Sequence, residues 1–414
     1  MESSQEEAAR STLALVFSDM LHDELCDLED NNQEVELART RPWAQPWLLG
    51  RDEGKLSVFE TKVDLFSEEK FKSIFRLSRG MFNELLEKVS PMITRRDTQM
   101  RRAIAPHIRL QITLMFLASG CRYPVLENLF SVSVSSISGI VQTVCSAIWE
   151  LRSDYLKCPT RKSEWLKVAK GFKEKWQYPR AIGALDGKHC QVQCFGNSGS
   201  VFHNYKGTFS LVLMALVDAD GKLLFCDIGA QGASNDSAVF QNTSFYKAMV
   251  ADQLDIPKAS EDDLLLPVDF HVVSDDAFGL TRRIFKPYPA KNLSRGQRIF
   301  NYRFSRARRI VENCFGLMSA RFRVMRSRIL QNYNNAKLTI QACCVLHNFV
   351  LENESAAQCS GTINDLTITA PKEPVNFELF SDQSPREQRD YLLDYFLSDE
   401  GSIPFQEKMA FQKD

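Results

Sequence analysis

Ala181-Ile182-Gly183-Ala184-Leu185-Asp186-Gly187-Lys188-His189-Cys190 opens the stretch whose reading decides the fold, and Phe209-Ser210-Leu211-Val212-Leu213-Met214-Ala215-Leu216-Val217 follows it after a polar interval. Short apolar runs bounded by turn residues mark strands. Three such runs are present: 181–194, 209–217 and 223–229, the last two joined by the turn Asp218-Ala219-Asp220-Gly221. Downstream, 237–251 reads as a helix, 271–274 as a short strand and 304–318 as a long arginine-rich helix. An apolar helix over 338–351 closes the core. Hairpin-linked strands, then helix, strand and helix, is the order of a layered α/β domain.

The flanks differ. Residues 1–66 lack sustained periodicity apart from one amphipathic stretch, Ser11 to Leu28, so they form an acidic, partly disordered arm. Between 67 and 152 apolar residues recur at helical spacing, with Phe71, Ile74 and Phe75, then Met81, Phe82, Leu85 and Leu86, then Leu110, Leu114 and Leu117. This predicts a small helical domain that ends as helix, turn, helix: 124–130, the serine-rich link 131–133, and 134–149. The last helix carries no Lys or Arg before Arg152. The arrangement is compatible with a DNA-reading unit, but without cations ordinary packing is the weightier reading, and Arg95, Arg96, Arg101, Arg102 and Arg109 are the better phosphate candidates. Residues 153–178 read as a basic linker, 179–352 as the α/β domain and 353–414 as an acidic tail.

The formal net charge of −1 hides an uneven distribution. Residues 1–40 carry −9 and residues 350–414 carry −8, which leaves 41–349 at about +16. Such a field attracts polyanions, although a basic body with solubilising tails gives the same numbers. No apolar run reaches the length of a membrane span, and the acidic start does not resemble a signal peptide. The eleven cysteines lack the paired spacing of a zinc ribbon and read as reduced thiols of a cytosolic or nuclear protein.

Three carboxylates stand out. Asp186 and Asp275 each follow an apolar strand, and Glu312 lies within Arg308-Arg309-Ile310-Val311-Glu312 on a helix with an apolar face. Acidic groups gathered inside a fold need protons, basic partners or bound cations. Hard oxygen ligands suit Mg²⁺ or Mn²⁺. The competing reading makes the aspartates turn caps and pairs Glu312 with Arg308 or Arg309 on its own helix.

Six blocks in order carry a resemblance: 182–189, 204–220, 234–240, Ser274-Asp275-Asp276-Ala277-Phe278, 305–316 and Leu346-His347-Asn348-Phe349. Together they resemble the DDE endonuclease domain of PIF/Harbinger transposases and the host nucleases derived from them. The helices before them look like that family's helix-turn-helix region. The resemblance implies an RNase H-like fold over 179–352 and a metal-binding catalytic triad of Asp186, Asp275 and Glu312, served by two Mg²⁺ or Mn²⁺ ions. Asp275 rather than Asp276 fits the family pattern. Asp236, Lys188 and His189 are supporting residues on this reading, with Asp236 a secondary candidate for a metal ligand. The commonest family version has Thr where Lys188 stands.

Arg308, Arg309, Arg321, Arg323, Lys206, Arg101 and Arg102 are the candidates for DNA contact, since arginine's planar fork suits phosphate oxygens. The implied function is cleavage of DNA at transposon ends, with strand transfer into target DNA as an extension. The alternative is a domesticated DNA- or chromatin-binding protein that no longer cuts. The family's habits imply a Myb-like DNA-binding partner, compatibility with a homo-oligomer, no membrane, and a nuclear location with some cytoplasmic presence if import depends on the partner.

Overall fold

The computed structural model describes residues 58–99, 102–259, 266–358 and 384–412. The amphipathic stretch of the acidic arm and Arg101 lie outside them.

Three strands form an antiparallel meander: β1 (Ala181–Gln191), β2 (Ser210–Val217) and β3 (Leu223–Gln231). Two short strands, β4 (His271–Val273) and β5 (Ile284–Phe285), continue the sheet on the other side of β1, each parallel to its neighbour. The order across the sheet is β3-β2-β1-β4-β5. Beyond Ser210, β2 is apolar, as suits a strand covered on both faces. Leu211, Leu213, Ala215 and Val217 point into one core, while Val212, Met214 and Leu216 point into the other. The hairpin turn forms as read: Asp218 Oδ1 accepts from the amides of Asp220 and Lys222, and Gly221 takes a φ of +79°, which a side chain would resist.

Helices cover the sheet on both sides, so the domain is mixed α/β. The elements before the sheet are α1 (Val58–Val63), α2 (Glu68–Phe75), α3 (Arg79–Ile93), α4 (Pro106–Ser119), α5 (Tyr123–Phe130), α6 (Val134–Glu150), α7 (Arg152–Tyr155) and α8 (Lys162–Trp176). After β3 come α9 (Asp236–Asn242) and α10 (Ser244–Val250), then α11 (Arg295–Arg321), α12 (Tyr333–Gln358), α13 (Pro385–Leu397) and α14 (Gln406–Phe411). α8, α9 and α10 supply Trp165, Phe240, Phe245 and Met249 to one core. The core on the other face is continuous with the N-terminal helices: Phe130, Ile140 and Val144 join Ile340, Val345 and Leu346 of α12.

Several elements differ from the sequence reading. The basic linker is largely α8, whose Trp165, Ala169 and Phe172 form a buried stripe at helical spacing beneath its lysines. The helix expected over 237–251 is two helices, because Thr243 caps α10 with its hydroxyl. α11 has 27 residues and starts nine residues earlier than the expected 304, at a capping box of Ser294 and Gln297. The end of the arm already belongs to the core, with the Phe59 ring 4.9 Å from that of Phe130. Residues 384–412 do not hang as a tail. They fold back on α11, where Arg303, 1% exposed, donates to Gly401 O (2.9 Å), Gln406 Oε1 (2.8 Å) and Gln177 O.

The segment expected to form helix, turn, helix comprises α5 and α6, bent by 102°. Ile137, Ile140, Val141, Val144 and Ile148 of α6 are buried, and Ser135, Ser136, Gly139, Gln142 and Glu150 are exposed. That face has no cation for a phosphate. Arg109 is 7% exposed within α4, so it leaves the phosphate candidates, whereas Arg95, Arg96 and Arg102 remain exposed. No single helix among the described residues is long and apolar enough to cross a membrane.

Candidate active site

β1 is longer than its apolar start, so Asp186 sits mid-strand rather than at a strand end. Its side chain shares a face with Lys188, whose Nζ lies 5.8 Å from the Phe315 ring of α11. β4 stops at Val273, paired next to Ala184. Asp275, two residues on, comes level with Asp186 where β1 has lost that neighbour. Its Oδ1 accepts from Ala277 N at 3.0 Å, which fixes the turn that carries it. Glu312 comes from α11, one turn beyond Arg308.

Arg308 joins the first and third carboxylates. Its guanidinium bonds Glu312 Oε1 and lies 3.5 Å from Asp186 Oδ2. The i,i+4 pairing anticipated as the competing account of Glu312 is therefore present, and the same arginine also reaches the sheet. Burial pushes the Asp186 carboxyl up from 3.8 to about 6. Arg308 and the Gly187 amide oppose that rise, while the charges of Asp275 and Asp236 add to it. The charges of Asp275 and Asp236 thus bear on Asp186 and favour its protonated form.

Asp236 opens α9 on the other face of β1. Gly187 admits it: a Cβ there would stand 2.5 Å from Asp236 Oδ1 and 2.7 Å from its Cγ. Oδ1 is buried and has no hydrogen-bond partner. Burial first, and Asp275 after it, hold the Asp236 carboxyl above its ordinary value, while His189 opposes them. His189 is lowered by its own burial and by Lys206, against the pull of Asp236. Its Nδ1 is 2.9 Å from Ser210 Oγ.

The carboxylate oxygens of Asp186, Asp275 and Glu312 are donors that suit a hard divalent cation, whereas the buried, unpartnered Asp236 Oδ1 lies over Gly187 on the other face of β1. Among the described residues, no three His, Cys, Asp or Glu side chains stand close enough to share one ion as placed. Arg308 supplies the positive charge between Asp186 and Glu312. The described cysteines are free thiols.

The proposed DNA-contacting residues separate into two groups. Arg309, Arg323, Lys206 and Arg102 are exposed. Arg308 is engaged as described, and Arg321 pairs with Glu354 at 3.2 Å. Of the other arginines in the basic region, Arg303 is buried, Arg306 bonds Gln177, and Arg295 pairs with Glu407. The bridge from Arg308 to Asp186 was not legible in sequence, since nothing local relates residues 308 and 186. Ser210 and Asn204 behind His189 were also missed, and only their place in the 204–220 block marked them.

The carboxylates lie within, or on elements that belong to, the segment matched by a family model. Residues 185–348 match the model of the DDE superfamily endonuclease family. The chain is also similar to an ALP1-like protein of Arabidopsis thaliana, at 25% identity over 297 residues, which cover 69% of this chain and 71% of that protein. Mouse and human proteins named "Putative nuclease HARBI1" are each 24% identical over 352 residues, which cover 84% of this chain and 96% of theirs. No solved structure matches. The matched segment contains Asp186, Asp236, Asp275, Arg308 and Glu312, and it leaves the N-terminal helices, α13 and α14 outside its bounds.

Proposed function

We propose that this chain is a metal-dependent DNA endonuclease with an RNase H-like core, in which Asp186, Asp275 and Glu312 hold Mg²⁺ or Mn²⁺, two ions in the working site. The observation that carries the reading is the meeting of Asp186 and Glu312 through Arg308, with Asp275 level with Asp186, inside a DDE superfamily endonuclease domain. The sheet order β3-β2-β1-β4-β5, with β2 alone reversed against β1, supports the RNase H-like assignment.

When bound, such ions activate water and stabilise the leaving oxygen of a phosphodiester. The chain's own part is positioning and charge. β1 fixes Asp186 on the sheet, the turn after β4 carries Asp275, and α11 brings Glu312 to Arg308 and Asp186. Arg308 neutralises two of these carboxylates, and its planar fork would suit a phosphate oxygen pair once Asp186 is engaged elsewhere. Arg309, Arg323, Lys206 and Arg102 would hold the DNA backbone without reading sequence. Lys188 lines the approach on the Asp186 face of β1, and His189 stands on the opposite face, against Ser210. We further propose transposon ends or related inverted repeats as substrate, strand transfer as an extension of cleavage, a Myb-like partner that supplies sequence recognition, and a nuclear location.

A second reading is a DNA- or chromatin-binding protein that does not cut. The ion pairs of Arg308 favour it, because they balance Asp186 and Glu312 without any metal. Calorimetric titration with Mn²⁺ and nicking of supercoiled plasmid decide between the two. Asp275→Asn and Glu312→Gln should each abolish nicking and weaken Mn²⁺ binding while DNA binding in chelator persists. Wild-type protein that binds DNA yet takes up no Mn²⁺ and never nicks would establish the second reading.

A further inference from the structure

Tyr205 lies on the connection between β1 and β2 and is 81% exposed, an unusual position for a large ring that contributes little to either core. The backbone beneath it is held from several sides. Asn204, 3% exposed, accepts on Oδ1 from the amides of Lys206 (3.0 Å) and Thr208 (3.1 Å). Its Nδ2 donates to Thr208 Oγ1 (3.0 Å) and to Ser210 Oγ (2.9 Å). The main chain closes on itself through Asn204 N to Thr208 O (2.8 Å) and Gly207 N to Asn204 O (3.0 Å). Ser210 Oγ also meets His189 Nδ1 at 2.9 Å, which ties the turn to β1.

The ring itself is oriented. It meets the His189 ring edge to face, with centroids 5.7 Å apart and planes at 75°, and Lys206 Nζ lies 5.3 Å from its centroid. An aromatic ring on a braced turn has already lost the freedom it would otherwise lose on binding. One edge rests on protein, and most of the ring's surface faces outward beside a cation. The platform joins β1 through His189, on the face of the strand opposite to Asp186.

A ring of this kind offers a nucleobase stacking and offers the adjoining phosphate a positive charge, a combination that recurs where single strands are bound. A base inside a duplex has both faces covered by its neighbours and cannot use the ring. We propose that Tyr205, with Lys206, is a stacking platform for an unpaired or terminal DNA base, so that the protein prefers DNA ends that are opened over continuous duplex. This rests on the nuclease reading above and adds a substrate feature to it.

The test uses the full chain in chelator, so that no metal chemistry enters. Two probes of one sequence are compared: a blunt duplex, and the same duplex with a short single-stranded end that carries the fluorescent base 2-aminopurine. Wild type should bind the tailed probe more tightly and quench its fluorescence. Tyr205→Ala should lose on the order of tenfold affinity for the tailed probe, together with the quenching, and bind the blunt duplex as wild type does. Tyr205→Phe should keep both properties. Thermal melting of Tyr205→Ala should match wild type, since the ring is exposed. Equal binding of the tailed probe by wild type and Tyr205→Ala, or equal losses on both probes, would overturn the platform while leaving the nuclease reading in place. Wild-type protein that binds neither probe would overturn both.

Discussion

At neutral pH Asp186 is held against its own preference. Its carboxyl is raised to about 6 from 3.8, chiefly by burial, so the folded chain binds its proton more tightly than the unfolded chain does. The sign follows from linkage: this group favours folding fully below about pH 4, and the contribution is lost as pH rises through about 6. A shift of this size corresponds to about 3 kcal/mol at neutral pH. Asp186→Asn should therefore stabilise the protein at pH 7 by about 1–3 kcal/mol and flatten the dependence between those limits, while abolishing any Mn²⁺-dependent activity. Urea titrations across the pH range check the first outcome and the nicking assay the second. Unchanged stability in Asp186→Asn would mean that Arg308 already compensates the buried charge. The residue types at this centre were legible in the sequence. Which cation faces them was not, because the partner of Asp186 is more than a hundred residues away.

Among the elements, the seating of α9 on β1 depends on one missing side chain. Gly187 leaves the space that Asp236 fills, and an added Cβ would meet a carboxylate whose movement is limited by its place at the start of the helix. Gly187→Ala should cost about 1–3 kcal/mol through overpacking. The double variant Gly187→Ala/Asp236→Ala should recover much of this, as read by chemical denaturation, because it removes the group in the way. Additive losses would show that the strain arises elsewhere on β1. α8 gives the element-scale lesson on sequence reading. Its five lysines mark a linker when only charge is counted, yet Trp165, Ala169 and Phe172 recur at helical spacing and are buried. The signal was present but was masked by long cationic side chains on the other face.

For the whole molecule, the segment that matches the endonuclease model is completed by chain from beyond its own bounds. α13 and α14 return to α11 around the buried Arg303, which is also stacked over Phe396 at 4.3 Å. Gln388 of α13 takes hold of Asp269 just before β4, accepting from its amide at 3.2 Å and donating to its carboxylate at 3.0 Å. The C-terminal helices thereby grip both the helix that carries Glu312 and the strand that leads to Asp275. Arg303→Met should leave Gly401 O, Gln177 O and Gln406 Oε1 without their donor and destabilise the protein by about 2–4 kcal/mol. Hydrogen exchange should rise in α11 as well as in α13 and α14. Exchange confined to α13 and α14 would show that these helices only decorate the domain.

By itself the sequence determined the class of the fold and the kind of chemistry. Strand and helix periodicities are local, so the meander, its turn at Asp218 to Gly221 and the apolar face of α11 follow from neighbouring residues. The same holds for the three acidic positions, whose blocks stand in an order that identifies the domain. Only the tertiary structure decided what is non-local: that Arg308 spans Asp186 and Glu312, that Asp236 occupies the space over Gly187, and that an acidic C-terminal region anchors α11. It also decided which cations face solvent, since Arg303 and Arg309 carry the same charge in the same helix and differ in the side they present. Charge and periodicity are properties of a segment, whereas burial and partnership depend on what the rest of the chain brings against it.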